Sequence, residues 1–253
     1  MEHFVTPVDY FDGLASQWSK KYAEGGSMRH RIEAITRPLR ERLCRGSRVL
    51  DFGCGSGDMT LALKRAGFNV SGFDISRAML AAARQRCEGE QIEFVQGEAG
   101  EYSCIPFGAG AFLGVVASSV LEYVPNPLAQ IAELARVLGD NGLLVITVPN
   151  PSHWRRRLEG FLQVLMKCPL VPRLGYLFSA RGMAYLGYLS LSINRFSFGK
   201  WAAMLSENGM RTDQVGSDSS AMATIIAIKL EDRTATAPLF KGAEYPDPIH
   251  WKN

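Results

Sequence analysis

Three features of the 253-residue chain predict an α/β fold with a doubly wound, largely parallel sheet. From residue 47 onward, short apolar runs alternate with amphipathic helical stretches, the grammar of βαβ units. The first of those runs leads straight into a glycine cluster, VLDFGCGSGDMT (49–60). Glycines and small polar residues punctuate the joins, as helix stops and starts require.

The elements follow in order. Met28, Ile32, Ile35, Leu39 and Leu43 recur at helical spacing within 8–44, and Gly25-Gly26 separates two helices there. RVLDF (48–52) is the first strand, and DMTLALKRA, stopped at Gly67, is the helix behind it. NVSGFD, SRAMLAAARQRC and QIEFVQG give a strand, a helix and a strand. A turn-rich stretch, 97–110, leads to the buried strand FLGVVASS. Val124, Leu128, Ile131, Leu134 and Leu138 mark a further helix, and GLLVITVP a fifth strand. FGKWAAMLSENG reads as a helix, MRTDQVGS and MATIIAIKL as an antiparallel hairpin, and 231–253 as an irregular tail.

Composition narrows the class. Apolar residues at 47% and charged residues at 21% fit a soluble globular chain, and a net charge of +3 is too small for a nucleic-acid footprint. Five cysteines without C-x-x-C spacing read as reduced thiols. The opening MEHFVTPVDYFDG has no apolar signal region, and no uncharged run is long enough to span a bilayer, so a cytoplasmic location is expected.

The glycine cluster carries the functional reading. In a doubly wound sheet, ligands sit at the carboxyl ends of the strands, and glycine leaves no Cβ between backbone and ligand. A dinucleotide fingerprint is spaced G-x-G-x-x-G, whereas Gly53, Gly55 and Gly57 give G-x-G-x-G, with Asp58 where a phosphate would be repelled. Asp51 sits inside the end of the first strand beside them. Asp74 ends the second, where a carboxylate can accept from both hydroxyls of a ribose. These residues point to a ligand with a free ribose, no phosphate and some cationic character.

VLDFGCGSGDMT, VSGFDIS, VQGEA, VLEYVPNP and ARVLGDNGLLVITVPNP resemble the class I S-adenosylmethionine-dependent methyltransferases over about residues 48–150, and the closing hairpin is similar as well. The resemblance implies a Rossmann-like seven-stranded sheet in the order 3-2-1-4-5-7-6 with strand 7 antiparallel, carrying N-terminal helices and a helical lid insertion. It implies one globular domain: an N-terminal helical lid (1–45), a cofactor-binding core (46–150), an acceptor-lid insertion (151–197), the end of the core sheet (198–230) and a tail (231–253). It implies that Asp51 and the loop Gly53, Cys54, Gly55 and Gly57 line the methionine part of S-adenosylmethionine, which leaves as S-adenosylhomocysteine. Asp74 would take the ribose hydroxyls, Ile75 would pack on the adenine, Glu98 would face its amino group, and Ala99 would offer a backbone N–H. Ser118 and Ser119 would lie below the sulfonium, although a small-residue strand end explains both equally well. Tyr10, Trp18 and Tyr22 would close over the cofactor or form a core stripe, and Arg29 would pair with its carboxylate or stay solvated. The chain departs from the family's common L-E-H-V by Leu121-Glu122-Tyr123-Val124, which puts the acceptor chemistry in question.

Methylation of a hydroxyl calls for a general base, for which His153 in PNPSHW is the first candidate and His30 the second. His153 has an ordinary reading as a solvent-exposed loop histidine, and His30 is a candidate because N-terminal helices in the family this chain resembles often fold over the site as a lid. Within 151–200 there are eight Lys/Arg and one acid, a local charge of +7 against −4 for the rest, amid dense apolar residues. Such a segment reads as a lid over a hydrophobic pocket, a membrane-surface element or a homodimer interface. The expected acceptor is a small hydrophobic or aromatic metabolite like a quinone precursor, methylated at oxygen, with nitrogen or carbon as the alternative. A non-catalytic cofactor-binding module is the rival class. No nucleic-acid partner and no metal are expected.

Overall fold

The computed structural model describes residues 6–18, 20, 29–166, 180–216 and 221–231. Its elements run α1 (Pro7–Trp18), α2 (Arg29–Arg42), β1 (Arg48–Phe52), α3 (Asp58–Arg65), β2 (Asn69–Asp74), α4 (Arg77–Arg86), β3 (Glu93–Gln96), β4 (Phe112–Ser118), α5 (Pro127–Val137) and β5 (Leu138–Pro149). Then come α6 (Trp154–Met166), α7 (Ala180–Leu191), α8 (Phe198–Glu207), β6 (Met210–Gly216) and β7 (Met222–Lys229). The seven strands lie in the order β3-β2-β1-β4-β5-β7-β6, parallel except where β7 pairs antiparallel with β5 and β6.

The central strands are continuous apolar runs because both faces of the sheet are covered. Leu50, Phe52, Val115 and Leu144 pack with Ile131 and Leu134 of α5 and Trp201 of α8 on one face. Val49, Val70 and Val145 meet Ile35 and Leu39 of α2 and Leu63 of α3 on the other. Local chemistry sets the helix ends. Ser76 accepts from the Met79 amide at 3.0 Å to begin α4, and Asn126 accepts from the Ala129 amide at 3.0 Å before Pro127 begins α5.

One strand is longer than its sequence indicates. GLLVITVP places the start of β5 near residue 142, yet β5 begins at Leu138 directly out of α5. The Gly-Asp-Asn-Gly stretch resembles a turn, and it is absorbed as an irregularity: Phe112 pairs with Leu138, but Gly114 pairs with Leu143. Asn141 takes the left-handed conformation there, at φ 58°.

Between β5 and α8 the insertion contributes α6 and α7, joined by a buried polar cluster. Glu159 accepts from Arg156 at 2.8 Å, Arg195 at 2.7 Å and the Tyr185 hydroxyl at 3.0 Å. After α7, the Ile193 and Asn194 amides donate to the Glu122 carbonyl, and the Asn194 side chain donates to the carbonyls of Leu121 and Val124. The insertion therefore clamps the loop after β4. Among the described residues, no helix is long and apolar enough to cross a membrane.

Leu144 is fully buried in the middle of β5. Leu144→Ala is expected to lower stability by about 2–5 kcal/mol, read as a reduced urea midpoint at an unchanged m-value.

Candidate functional site

The tips of β1, β2 and β4 open into a cavity of about 190 Å³. Its floor is the turn that follows β1. The amides of Gly53 and Cys54 both donate to the Phe73 carbonyl, at 2.7 and 3.0 Å, which ties the turn to the end of β2. Gly53, Gly55 and Gly57 all have positive φ, at 70°, 52° and 78°. At Gly53 a Cβ would lie 2.2 Å from Val120 Cγ2, so the loop after β4 approaches a bare backbone. Gly57 serves a different end. It is absent from the cavity wall, and a Cβ there would meet Ala83 of α4 at 3.0 Å, so it permits close helix packing.

Asp74 stands at the centre. Its carboxylate accepts from the Gly55 amide on one oxygen and from the Ser76 amide on the other, both at 2.8 Å. Burial pushes this carboxyl above its ordinary value, against the backbone N–H groups of Ser76, Gly55 and Ile75. Asp51 is buried beside it and accepts from the Thr60 hydroxyl at 2.6 Å. Burial lifts Asp51 to about 7, opposed by the Thr60 hydroxyl and reinforced by the charge of Asp74. The Cys54 thiol, also on the wall, is raised well above its ordinary value by burial and by the two aspartates, which keeps it protonated.

The opposite wall comes from β4 and the N-terminal helices. Ser118 and Ser119 both line the cavity. Ser119 holds φ at 57°, and its backbone N–H donates to Thr147 Oγ1 at 2.8 Å. Arg31 of α2 donates through Nη1 to Ser119 Oγ at 2.8 Å, while its buried Nε has no hydrogen-bond partner. Pro7, Phe11 and Trp18 of α1 form the outer wall, with Trp18 Nε1 only 3.6 Å from where a Gly55 Cβ would stand. Phe11 packs edge-on to Tyr123 at 5.2 Å. The Asp12 side chain meets the Ser76 hydroxyl, which seats α1 against the start of α4.

Of the residues expected from sequence, Asp51, Gly53, Cys54, Gly55, Asp74, Ile75, Ala99, Ser118 and Ser119 are brought to one cavity. Glu98 is not: it is exposed in the turn beyond β3, and only its carbonyl is engaged, by Ser103 Oγ at 3.1 Å. His30 lies exposed on α2 and off the wall. His153 is off the wall too, because the chain turns away after Asn150 into α6, where His153 Nδ1 accepts from the Arg155 amide at 3.3 Å. Tyr22 falls outside the described residues, as does the side chain of Arg29. Sequence reasoning missed Arg31, Phe11, Met59, Met79 and Tyr123 on the wall. A signal for Arg31 did exist, since it precedes the buried Ile35 by one helical turn and so shares its inward face. Among the described residues of the insertion, none lines the cavity.

The wall therefore carries three carboxylates, Asp51, Asp58 and Asp74, and of the described residues one basic side chain, Arg31. That layout suits a ligand with positive charge and hydroxyls on one side and a carboxylate on the other. The unpaired Arg31 Nε gives the carboxylate a donor beside Nη1. S-adenosylmethionine, with its ribose, its cationic sulfur and ammonium and its carboxylate, fits that set.

Comparison with known proteins agrees. Residues 25–186 match the family model described as "Methyltransferase domain". The demethylmenaquinone methyltransferase of Tropheryma whipplei (strain Twist) is 34% identical over 167 residues, covering 66% of this chain and 67% of that one. The ubiquinone biosynthesis O-methyltransferase of Cronobacter sakazakii is 31% identical over 170 residues, covering 63% and 67%. In fold, the chain is similar to the magnesium protoporphyrin IX methyltransferase of Synechocystis PCC 6803 with bound SAH, at TM-score 0.61 and 22% identity over 88% and 97% of the two chains. The chain belongs to the methyltransferase-domain family, as an S-adenosylmethionine-dependent methyltransferase of the class I fold.

The folded-state value of Asp51 lies above its ordinary 3.8, so the folded chain holds this proton longer than the unfolded chain does. Its contribution to stability is full at low pH and is lost as pH rises from about 4 to about 7. Measured by thermal melts, the stability of wild type relative to Asp51→Asn should fall across that window and level off above it.

Proposed function

We propose that this chain methylates a hydroxyl on a small, hydrophobic, aromatic metabolite of the quinone-precursor type. The observation that carries the reading is the division of the cavity wall. Aspartates at the strand tips form one side, and Arg31 with the aromatic residues Phe11, Trp18 and Tyr123 forms the side facing them. S-adenosylmethionine, when bound, supplies a methyl group on a positively charged sulfur.

The chain's own residues bind, orient and exclude water. Asp74, with each oxygen already holding one amide, has lone pairs left for two ribose hydroxyls. Ile75 and Ala99 flank the adenine, and Glu98 takes no part in holding it. Arg31 takes the carboxylate. Asp51 and the Gly53–Gly55 backbone border the amino-acid portion. Phe11 and Tyr123, packed edge-on to each other, give a planar acceptor an aromatic surface, and α1 shields it from water, so the nucleophile is held in line in a dry site.

Among the described residues, both histidines, His30 and His153, lie off the wall, so neither is placed as a base. The acceptor hydroxyl is then one acidic enough to ionise without it, such as a phenol or enol, which suits an aromatic acceptor. The insertion, by clamping Leu121–Val124 through Asn194, shapes the acceptor side from behind.

S-adenosylhomocysteine should raise the melting temperature by several degrees and NAD should leave it unchanged. In a radiomethyl assay on a panel of catechols and hydroquinones, transfer to oxygen is expected, at wild-type rate for His153→Ala. Methylation only at ring carbon, or binding without transfer to any acceptor, would overturn the reading.

A further inference from the structure

Helix α6 is packed inside out. Arg156, Glu159 and Gln163 recur at helical spacing, and this polar stripe faces the protein. Glu159 is 5% exposed. Arg156 donates through Nε to the Ala221 carbonyl at 2.9 Å and also meets the Tyr188 hydroxyl. Gln163 Nε2 donates to the carbonyls of Leu189 at 2.6 Å and Ser192 at 2.9 Å. Against the cost of burial, Arg156 and Arg195 hold the Glu159 carboxyl below its ordinary value, so the buried stripe is internally neutralised.

The opposite stripe is apolar and faces water. Trp154, Leu158, Phe161 and Leu165 follow at the same spacing, at 68%, 51%, 60% and 42% exposure, with Val164 beside them at 64%. Arg155 and Arg157 are exposed on either flank. The one acid in α6 is Glu159, on the buried side, so no negative charge lies on the outward face. A surface helix of a globular protein turns its apolar stripe to the core. Here the core-facing positions are filled with satisfied polar groups, and the apolar stripe is left for something else.

We propose that α6 is an in-plane anchor that docks this enzyme on an anionic lipid surface. The aromatic and aliphatic side chains enter the headgroup boundary, and Arg155 and Arg157 lie on anionic headgroups. With 13 residues, α6 is too short to span, since a crossing helix needs about 20. Charge decides between a bilayer and a second copy of the chain. A two-fold contact through this face would bring the same arginines together with no acid on the face to pair them, whereas an anionic membrane supplies that charge over its whole surface. The docking stands or falls separately from the acceptor, because vesicle binding needs neither cofactor nor substrate.

The test is sedimentation of the full chain with vesicles of phosphatidylcholine alone and of phosphatidylcholine with phosphatidylglycerol. Wild type should sediment with the anionic vesicles and remain largely in solution with the neutral ones. Phe161→Glu/Leu165→Glu should bind the anionic vesicles at least about tenfold more weakly. Arg155→Gln/Arg157→Gln should lose the preference for them. Both variants should melt within about 2 °C of wild type, because the altered side chains are exposed. Wild type staying in solution with anionic vesicles, or Phe161→Glu/Leu165→Glu binding like wild type, would overturn the proposal. So would a fall of more than about 5 °C in melting temperature for that variant, which would mean the chain covers this face itself. Light scattering that shows a wild-type dimer turned to monomer by the same variant would assign the face to a second copy instead.

Discussion

The Asp74 carboxylate, gripped by two backbone amides, is the interaction on which the site depends. The Gly55 amide can reach it only because the turn after β1 runs through left-handed backbone at Gly53 and Gly55. The Ser76 amide reaches it at the start of α4, and the Ser76 hydroxyl both caps that helix and meets Asp12 of α1. One buried carboxylate thus sets the floor of the cavity, the register of α4 against it and, through Ser76, the seat of the helix that forms its outer wall. A buried charge held in this way keeps lone pairs for a ligand while its own position is fixed, which is the preorganisation that tight recognition of a diol needs.

The remaining wall is arranged by charge. Burial, and after it the charge of Asp74, opposes ionisation of Asp51, while burial and the charge of Asp12 oppose that of Asp74. A cationic ligand relieves that opposition, and an anionic one would add to it. Arg31 answers from across the cavity, steadied by Ser119, whose left-handed backbone is a local strain fixed by Thr147. Strained polar groups at a strand tip facing a cavity are where sheets of this kind place their chemistry.

Much of this was legible in the sequence. RVLDF and NVSGFD match β1 and β2 residue for residue, because their interior positions are buried apolar or small residues and each carries an acid at or next to its carboxyl end. The floor of the cavity was legible for a related reason: a glycine cluster between two acids marks a bare turn at a strand tip. The outer wall was not. Phe11 and Tyr123 read equally well as core residues, and only the path of α1 over the strand tips brings them together. His153 follows β5 in sequence, but the chain turns away after Asn150, so it lies off the cavity wall with Nδ1 accepting from the Arg155 amide. The insertion reads as basic and apolar in bulk; that its polar residues face inward and its apolar ones outward depends on Glu159 meeting Arg195, a partner 36 residues away.

The most direct test of the central claim is calorimetric titration of S-adenosylhomocysteine into wild type, Asp74→Asn and Arg31→Gln. Each variant removes a charged partner from one end of the ligand, and each is expected to bind at least about tenfold more weakly while its far-ultraviolet spectrum is unchanged. Wild-type affinity in both folded variants would contradict the assignment of this cavity to the methyl donor.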